Sequence, residues 1–195
     1  MCGRYYYSDK TNYEVEEDLE LEKGTMSMKT GDVTPAMNAV VLLPDKRDAG
    51  RIILPAEMFW GLTGKDRKLV INARAESVFD KPMFSGNMES RRCIMPAAGF
   101  YEWDKDKNKV TFFRKDKRPV YLAGFYSLSD NKDSFVILTT AANEYMISVH
   151  DRMPVMIEKE HVKDWLYDTE KAKKLLAMPM PQLDSSREYE QLILF

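Results

Sequence analysis

The length, composition and charge of the chain exclude several classes of protein. Its 195 residues are 44% hydrophobic and 31% charged, which favours one globular domain over residues 1–195 and excludes a disordered chain or a membrane span. With a net charge of -2, nucleic-acid binding would have to rest on a local basic patch. Two Cys and two His are too few for a disulfide scaffold or a structural zinc site, so we expect no metal, and nothing predicts a cofactor. Residues 1–15 lack a secretion signal, and we expect a cytoplasmic monomer.

The first half of the chain predicts one acidic helix among short strands. Residues 4–7 favour a strand, and Thr11–Leu21 favours a surface helix whose five acidic residues face solvent. Apolar runs predict further strands at 39–43, 51–54, 57–60 and 69–74, the first two as a hairpin. The last run places Asn72 and Arg74 on one strand face.

The second half predicts a β-rich meander followed by helices. Apolar runs between polar turns predict strands at 93–95, 99–103, 110–113, 120–128 and 135–140. Helical patterns follow at 143–149, 158–167 and 169–178, and the stretch after Pro179 is expected to be irregular. These elements predict an α+β fold, a single domain with a curled, mainly antiparallel, barrel-like sheet and peripheral helices.

Cys2 is the first candidate for chemistry. Once Met1 is removed, residue 2 carries an α-amine beside a thiol, and an α-amine has a larger neutral, nucleophilic fraction at pH 7 than a lysine. The amine can form a Schiff base with an aldehyde, and the thiol can then close on the imine to give a thiazolidine. Arg4 lies on the same face of an extended N-terminus and can favour the thiolate or hold an anion. The alternative for Cys2 is a small buried residue near the terminus.

Other polar residues can transfer protons or hold an anionic ligand. Glu102 stands in the aromatic stretch GFYEW, where a carboxylate can exchange protons near neutral pH or point to solvent. His150 opens HDRMP and titrates in the working range, although a lone histidine is more often structural. Asn72 can stabilise an oxyanion or satisfy a strand end. Arg74 and Arg152 can grip phosphates, or form surface ion pairs.

Five motifs lie along the chain in an order that decides the interpretation. They are MCGRY at 1–5, INAR at 71–74 with Glu76 following, RCIMPAAGFYEW at 92–103, LTTAAN at 138–143 and HDRMPV at 150–155. Together they resemble the SOS-response-associated peptidase (SRAP) family. Members of that family sense abasic sites in single-stranded DNA and form a covalent DNA-protein crosslink through their N-terminal cysteine. The resemblance implies this activity and a single α+β domain, and an abasic site supplies the aldehyde that an aminothiol traps.

The resemblance implies roles for ten residues. Cys2 is the implied crosslinking nucleophile after loss of Met1, and Asn72 the residue that orients the ring-opened sugar. Glu102 and His150 are implied to manage the proton transfers of ring opening, imine formation and thiazolidine closure. The residues implied to bind DNA are Arg4, Arg74 and Arg152 at phosphates and Pro35, Trp103 and Thr139 along the DNA path.

Two departures from the family pattern concern DNA contacts. The segment WGLTGKDRK is shortened and lacks the family's proline and further tryptophan, so base stacking at that loop lacks its usual residues. Lys65, Arg67 and Lys68 are candidates for backbone contacts there instead. Asp32 stands where an asparagine is common and would weaken DNA binding unless it faces away.

Two other functions fit parts of the sequence. A cysteine peptidase could use Cys2, His150 and Glu102 as nucleophile, base and orienting acid, with its own N-terminus as substrate. A non-covalent module for single-stranded DNA would need the arginines alone. In the crosslinking function, weak strand cleavage by β-elimination is also expected, with Glu102 or His150 taking the proton. The low net charge predicts that DNA binding is confined to one face and that the opposite face is acidic.

Overall fold

The apolar runs of the sequence form the strands of two curved sheets. The structure, a computed structural model, describes residues 2–47, 51–64, 68–129 and 132–188. Its strands are β1 Tyr5–Tyr7, β2 Gly31–Val33, β3 Asn38–Pro44, β4 Ile53–Trp60, β5 Leu62–Thr63, β6 Leu69–Val70, β7 Asn72–Arg74, β8 Arg92–Ala97, β9 Gly99–Trp103, β10 Lys109–Arg114, β11 Val120–Ser127, β12 Ser134–Ala141, β13 Arg152–Pro154 and β14 Leu183–Glu188. Its helices are α1 Thr11–Asp18, α2 Ser85–Ser90, α3 Val162–Tyr167 and α4 Thr169–Leu176, with 3-10 turns at Ala75–Ser77 and Lys159–His161. Within these ranges no helix is both long and apolar enough to cross a membrane.

Seven strands form a sheet that closes on itself. Its order is β11-β8-β3-β4-β12, and β12 also pairs with β11, which completes a five-stranded ring. β13 and β7 pair with β12 as additions to that ring. β12 runs parallel to β4 and β7, and the other pairings of this sheet are antiparallel. The predicted α+β fold with a curled, mainly antiparallel sheet is confirmed.

The second large sheet carries the N-terminus. Its order is β14-β10-β9-β1-β2, so β1 lies between β9 and β2. Tyr5 pairs with Phe100, and the N–H of Tyr101 donates to the carbonyl of Arg4 at 2.9 Å. The first residues of the chain are therefore held beside the strand that carries Glu102.

Trp60 links the two sheets. It is fully buried, its ring lies 5.2 Å from Tyr5 and 6.0 Å from Phe135, and its indole N–H donates to the carbonyl of Ile71 at 3.0 Å. Burial of a side chain of this size contributes about 3 kcal/mol to folding. The tryptophan of the WGL segment is thus a core residue that packs the N-terminal strand against the ring.

The predicted helix at 143–149 is wrong, because this segment forms consecutive turns. The N–H groups of Met146 and Ile147 both donate to the carbonyl of Asn143. The side chain of Asn143 also accepts from the N–H of Tyr145 at 3.2 Å, which competes with helical hydrogen bonding.

The stretch after Pro179, expected to be irregular, contains an edge strand. β14 pairs antiparallel with β10 across six residues, from Leu183 opposite Arg114 to Glu188 opposite Lys109. One buried apolar residue, Leu183, is too weak a pattern to predict a strand. The strand is therefore specified by its backbone pairing. The short elements β2, α2 and β13 were also absent from the prediction, and the runs predicted as separate strands at 51–54 and 57–60 form one strand, β4.

The acidic helix α1 does not face solvent throughout, contrary to the prediction. Glu16 is buried, and its carboxylate accepts from two backbone N–H groups of the following loop at 2.9 and 2.8 Å. The side chain of Asp18 is 2% exposed and accepts from Arg118, Lys159 and Tyr121 at 2.5, 3.0 and 2.9 Å. These bonds fasten the end of α1 to β11 and to the turns around it.

Asp18→Asn should lower the free energy of unfolding by about 2 kcal/mol at neutral pH, because it removes the buried carboxylate that Arg118, Lys159 and Tyr121 share, although Arg118 keeps Glu17. Burial raises the pKa of Asp18, but hydrogen bonds from Arg118, Lys159 and Tyr121 outweigh it and lower the pKa below its ordinary value. This contribution is complete above the unfolded pKa of about 4 and is lost as the pH falls through the lower folded pKa. Urea unfolding at about pH 7 and about pH 3 should show the difference between the two proteins shrinking.

Asp116→Asn is the matched control, because this carboxylate is half exposed and pairs with Arg114 at 3.1 Å. It should cost less than about 1 kcal/mol. Equal losses of unfolding free energy for the two variants would show that Asp18 does not fasten α1 to β11.

Candidate functional site

Cys2 is fully buried beside Glu102. Burial, and then the negative charge of Glu102, raise the pKa of the Cys2 thiol, while a hydrogen bond from the backbone N–H of Arg4 lowers it. The net shift is upward, so the group at this position is a neutral thiol at physiological pH. Arg4 therefore favours the thiolate through its backbone N–H.

Strand β9 places Glu102 in the interior. Glu102 lies opposite Val110 of β10 and is buried, so the alternative in which it points to solvent is wrong. Gly99 permits this close pairing, because a Cβ there would collide with the carbonyl oxygen of Phe112 on β10. The glycine at the start of the GFYEW motif thus sets the strand that brings a carboxylate to Cys2.

Asn72 has a buried amide without a protein partner. It lies on β7, opposite Ile137 of β12. Both Nδ2 and Oδ1 are buried, and neither forms a hydrogen bond with any part of the chain that the structure describes. A buried polar group left unsatisfied costs about 1–3 kcal/mol. The alternative in which Asn72 satisfies a strand end is therefore wrong, and its amide leaves one buried donor and one buried acceptor without a partner among the described residues.

The ring of His150 is held by neighbouring backbone. The N–H of Arg152 donates to Nδ1 of His150 at 2.9 Å, and Oδ1 of Asp151 also lies 2.9 Å from Nδ1. Only one of these contacts can be a hydrogen bond at a time. Nδ1 either accepts from the N–H of Arg152 or carries a proton that it donates to Asp151. The backbone N–H keeps its proton, whereas the carboxylate of Asp151 is 81% exposed and free to turn to water. The backbone contact makes Nδ1 the hydrogen-bond acceptor, which places the proton of the matching tautomer on Nε2.

Arg152 is committed to Glu76. Its guanidinium donates to the two carboxylate oxygens of Glu76 at 2.6 and 2.9 Å and to the carbonyl of Thr139 at 2.6 Å. The hydrogen bonds from Arg152 lower the pKa of Glu76 to about 2. Sequence reasoning gave Glu76 no role, although it follows two residues after Arg74, in the 3-10 turn that ends the Asn72 strand. For Arg152 the structure favours the ion-pair alternative.

Arg4 lies at an open part of the site. Its guanidinium is 5.3 Å from the centre of the half-exposed Trp103 ring and 3.6 Å from the carboxylate of Asp32. Asp32 therefore pairs with Arg4 and does not face away from it. Because an exposed pair contributes less than about 1 kcal/mol, a phosphate can replace it at little cost. Arg74 is exposed as well, opposite the buried Thr139.

Pro35 lies in a turn that is fastened to the end of β4. The backbone of this turn makes two hydrogen bonds with Trp60, at 3.0 and 2.9 Å, and Pro35 itself is half-buried. In the loop after Trp60, Lys68 is exposed. Lys65 and Arg67, expected to contact the DNA backbone, lie outside the described residues.

The structure brings the predicted site residues together in two groups. The first contains Cys2, Arg4, Glu102 and Trp103. The second contains Asn72, Arg74, Thr139, His150 and Arg152, with Glu76 added by the structure. The first offers a sulfur nucleophile and a carboxylate, and the second offers an amide, a histidine and cations. In the described ranges no group of three or more His, Cys, Asp or Glu side chains is arranged to hold a metal ion.

Comparison with known proteins agrees with the sequence motifs. The family model of the SOS response associated peptidase (SRAP) matches residues 1–191. The chain belongs to this family. Abasic site processing protein YoaM of Bacillus subtilis is 34% identical over 184 residues, covering 85% of this chain and 79% of that protein. Abasic site processing protein YedK of Escherichia coli is 30% identical over 178 residues, with the same coverage of 85% and 79%.

Solved structures show the same fold. A crystal structure of a protein from Bordetella bronchiseptica matches with a TM-score of 0.78 at 20% identity, over 96% of this chain and 100% of that one. A structure from Bacteroides thetaiotaomicron matches with a TM-score of 0.74 at 21% identity, over 97% of this chain and 93% of that one. The resemblance of this SRAP protein to its family, stated from the sequence, is confirmed. The family match also includes the stretch after Pro179, which the motifs left without a counterpart.

Asn72→Leu should leave the free energy of unfolding unchanged or raise it by about 1 kcal/mol, because it removes two unsatisfied buried polar atoms. Asn12 is a matched control, since it is half-buried too but bonds the N–H and the carbonyl of Met28, both at 2.9 Å. Asn12→Leu should lower the free energy of unfolding by about 2 kcal/mol. Urea unfolding measures both, and equal destabilisation would show that Asn72 is an ordinary structural residue.

Proposed function

We propose that this SRAP protein is an abasic-site sensor that binds single-stranded DNA and forms a covalent thiazolidine crosslink through Cys2 after Met1 is removed. Two relatives at 34% and 30% identity are named abasic site processing proteins. The observation that carries the proposal is the buried amide of Asn72, which has a donor and an acceptor without partners among the described residues. A ring-opened deoxyribose, with its hydroxyl and carbonyl oxygens, can satisfy both.

The α-amine of Cys2 is the first nucleophile in this function. Its nitrogen attacks C1′ of the open-chain aldehyde, and the adduct loses one water to give a protonated Schiff base. Glu102 takes the proton that the amine releases and returns a proton to the departing hydroxyl. The raised pKa of the Cys2 thiol supports this order, because a neutral thiol is a poor nucleophile before the imine exists.

The thiol of Cys2 closes the ring in the second step. The Schiff base places a positive charge next to the sulfur, which offsets the effect of Glu102 and favours loss of the thiol proton. Sulfur then bonds to C1′ as the C=N π electrons pass to nitrogen, the thiol proton passes to the carboxylate of Glu102, and the product is a thiazolidine. No oxidant or metal is consumed in either step.

The DNA strand is held by residues around this chemistry. Arg4 and Arg74 are exposed cations suited to flanking phosphates, and the half-exposed Trp103 beside Arg4 presents an apolar face. Pro35 lines the path of the strand in this proposal, whereas Thr139, which is buried, contributes by accepting a hydrogen bond from Arg152 through its carbonyl.

Two side activities belong to the same proposal. A Schiff base acidifies C2′ of the sugar, so loss of that proton can break the strand weakly by β-elimination, with Glu102 as the buried base. Removal of Met1, by the chain itself or by a host aminopeptidase, creates the reactive amine. Intact mass of the purified protein reports that removal.

A single-stranded oligonucleotide with one abasic site should give a band that survives denaturing electrophoresis when it is incubated with the Met1-free protein. Cys2→Ala should lose this band, because its amine can form only a reversible Schiff base. Cys93→Ala is the control, since Cys93 is the second cysteine and is equally buried. It should retain the band.

Each failure of this experiment has a definite meaning. A stable band in Cys2→Ala would exclude the thiazolidine. Equal affinity for intact and abasic DNA without any covalent product would identify a non-covalent DNA-binding module. Cleavage of unrelated peptides that requires Cys2 and His150 would identify a general cysteine peptidase.

A further inference from the structure

The carboxylate of Glu76 joins two segments of the candidate site. Glu76 lies in the 3-10 turn Ala75–Ser77, directly after the strand that begins at Asn72. Its partner Arg152 begins β13, two residues after His150. One bidentate ion pair therefore ties the Asn72 strand to the His150 segment.

Strand β13 is a short edge strand that is held by backbone pairing with β12 and, in addition, by this tie. It has three residues and stands at the end of its sheet, next to β12. Its last residue, Pro154, has no N–H to donate. The side chain of Arg152 supplies further anchorage, since it reaches both Glu76 and the carbonyl of Thr139 on β12.

The geometry points to Glu76 as a positioning residue for His150, a role in the reaction that rests on the proposed function. By holding Arg152, Glu76 keeps the Arg152 N–H on Nδ1 of His150 at 2.9 Å, and the ring proton therefore stays on Nε2. His150 then enters the lesion reaction as a hydrogen-bond donor through Nε2, and the proton-accepting steps fall to Glu102. A Cys-His peptidase dyad needs a histidine that accepts the thiol proton, which this tautomer does not offer.

A different role for Glu76 would be to occupy Arg152 until a DNA phosphate replaces it. The side chain of Arg152 is 15% exposed, against 49% for Glu76, so the guanidinium lies mostly beneath its partner. The low pKa of Glu76 keeps the pair ionised across the working pH range. Both observations favour a permanent structural tie over an exchangeable one.

Nitrogen-15 NMR of the imidazole rings tests this role without DNA. The sequence has two histidines, so His161 serves as an internal reference. At about pH 8, where histidine is neutral, Nδ1 of His150 should resonate as an unprotonated nitrogen and Nε2 as a protonated one. In Glu76→Ala the two resonances should move toward each other as the tautomers mix, while those of His161 stay in place.

The rate of crosslinking to the abasic oligonucleotide gives a second readout. At saturating DNA, Glu76→Ala and Arg152→Lys should slow the reaction about tenfold or more, and Glu76→Gln should slow it less. Glu144→Gln is the charge-matched control, since it removes the same charge from the exposed turn that precedes His150. It should react at the wild-type rate. Urea unfolding verifies that each variant is folded.

Two results would overturn the positioning role. One is a wild-type tautomer signature in folded Glu76→Ala. The other is tighter DNA binding by Glu76→Ala with an unchanged signature, which would make Glu76 a competitor of phosphate. A changed signature supports the role even if the wild-type protein fails to crosslink, and that failure would then count against the proposed function alone.

Discussion

The antiparallel pairing of β1 with β9 is the constraint on which the rest of the structure depends. The hydrogen bond from Tyr101 to the carbonyl of Arg4 and the pairing of Tyr5 with Phe100 fix the first residues of the chain against the strand of Glu102. Tyr5 then packs on Trp60, which connects this sheet to the closed ring. The N-terminus is consequently a part of the core, and a change in residues 2–7 alters the fold and the chemistry of Cys2 together.

The long buried strands could be predicted from the sequence because their apolar runs are continuous. β8 and β11 lie within or around the predicted runs, and the helices α3 and α4 fall inside the predicted ranges. β14 could not be predicted, since its backbone pairs at a sheet edge while its side chains are mostly polar. The turns at 143–149 were predicted as a helix because the apolar pattern does not report the hydrogen bond from the Tyr145 N–H to the Asn143 side chain.

The sequence predicted which residues form the site, but not which of them pair with one another. Cys2, Asn72 and Glu102 could be chosen from motifs, and the structure buries the polar groups of all three. The pairing of Arg152 with Glu76 joins positions 76 residues apart and depends on how two strands meet on β12. The pairing of Asp18 with Arg118 likewise joins distant positions and could not be predicted from the charge of the chain.

Because Cys2 is buried, the rate at which its thiol reacts with a soluble reagent depends on the motion of strand β1. An opening that exposes Cys2 must break the pairing of β1 with β9 and β2 and the packing of the buried Tyr5 on Trp60. Such local openings require less free energy than global unfolding. A soluble electrophile that reaches the Cys2 thiol through such an opening reacts at a rate set by how often β1 opens. Its labelling rate is therefore a measure of local stability at the N-terminus, comparable with amide hydrogen exchange of the same strand.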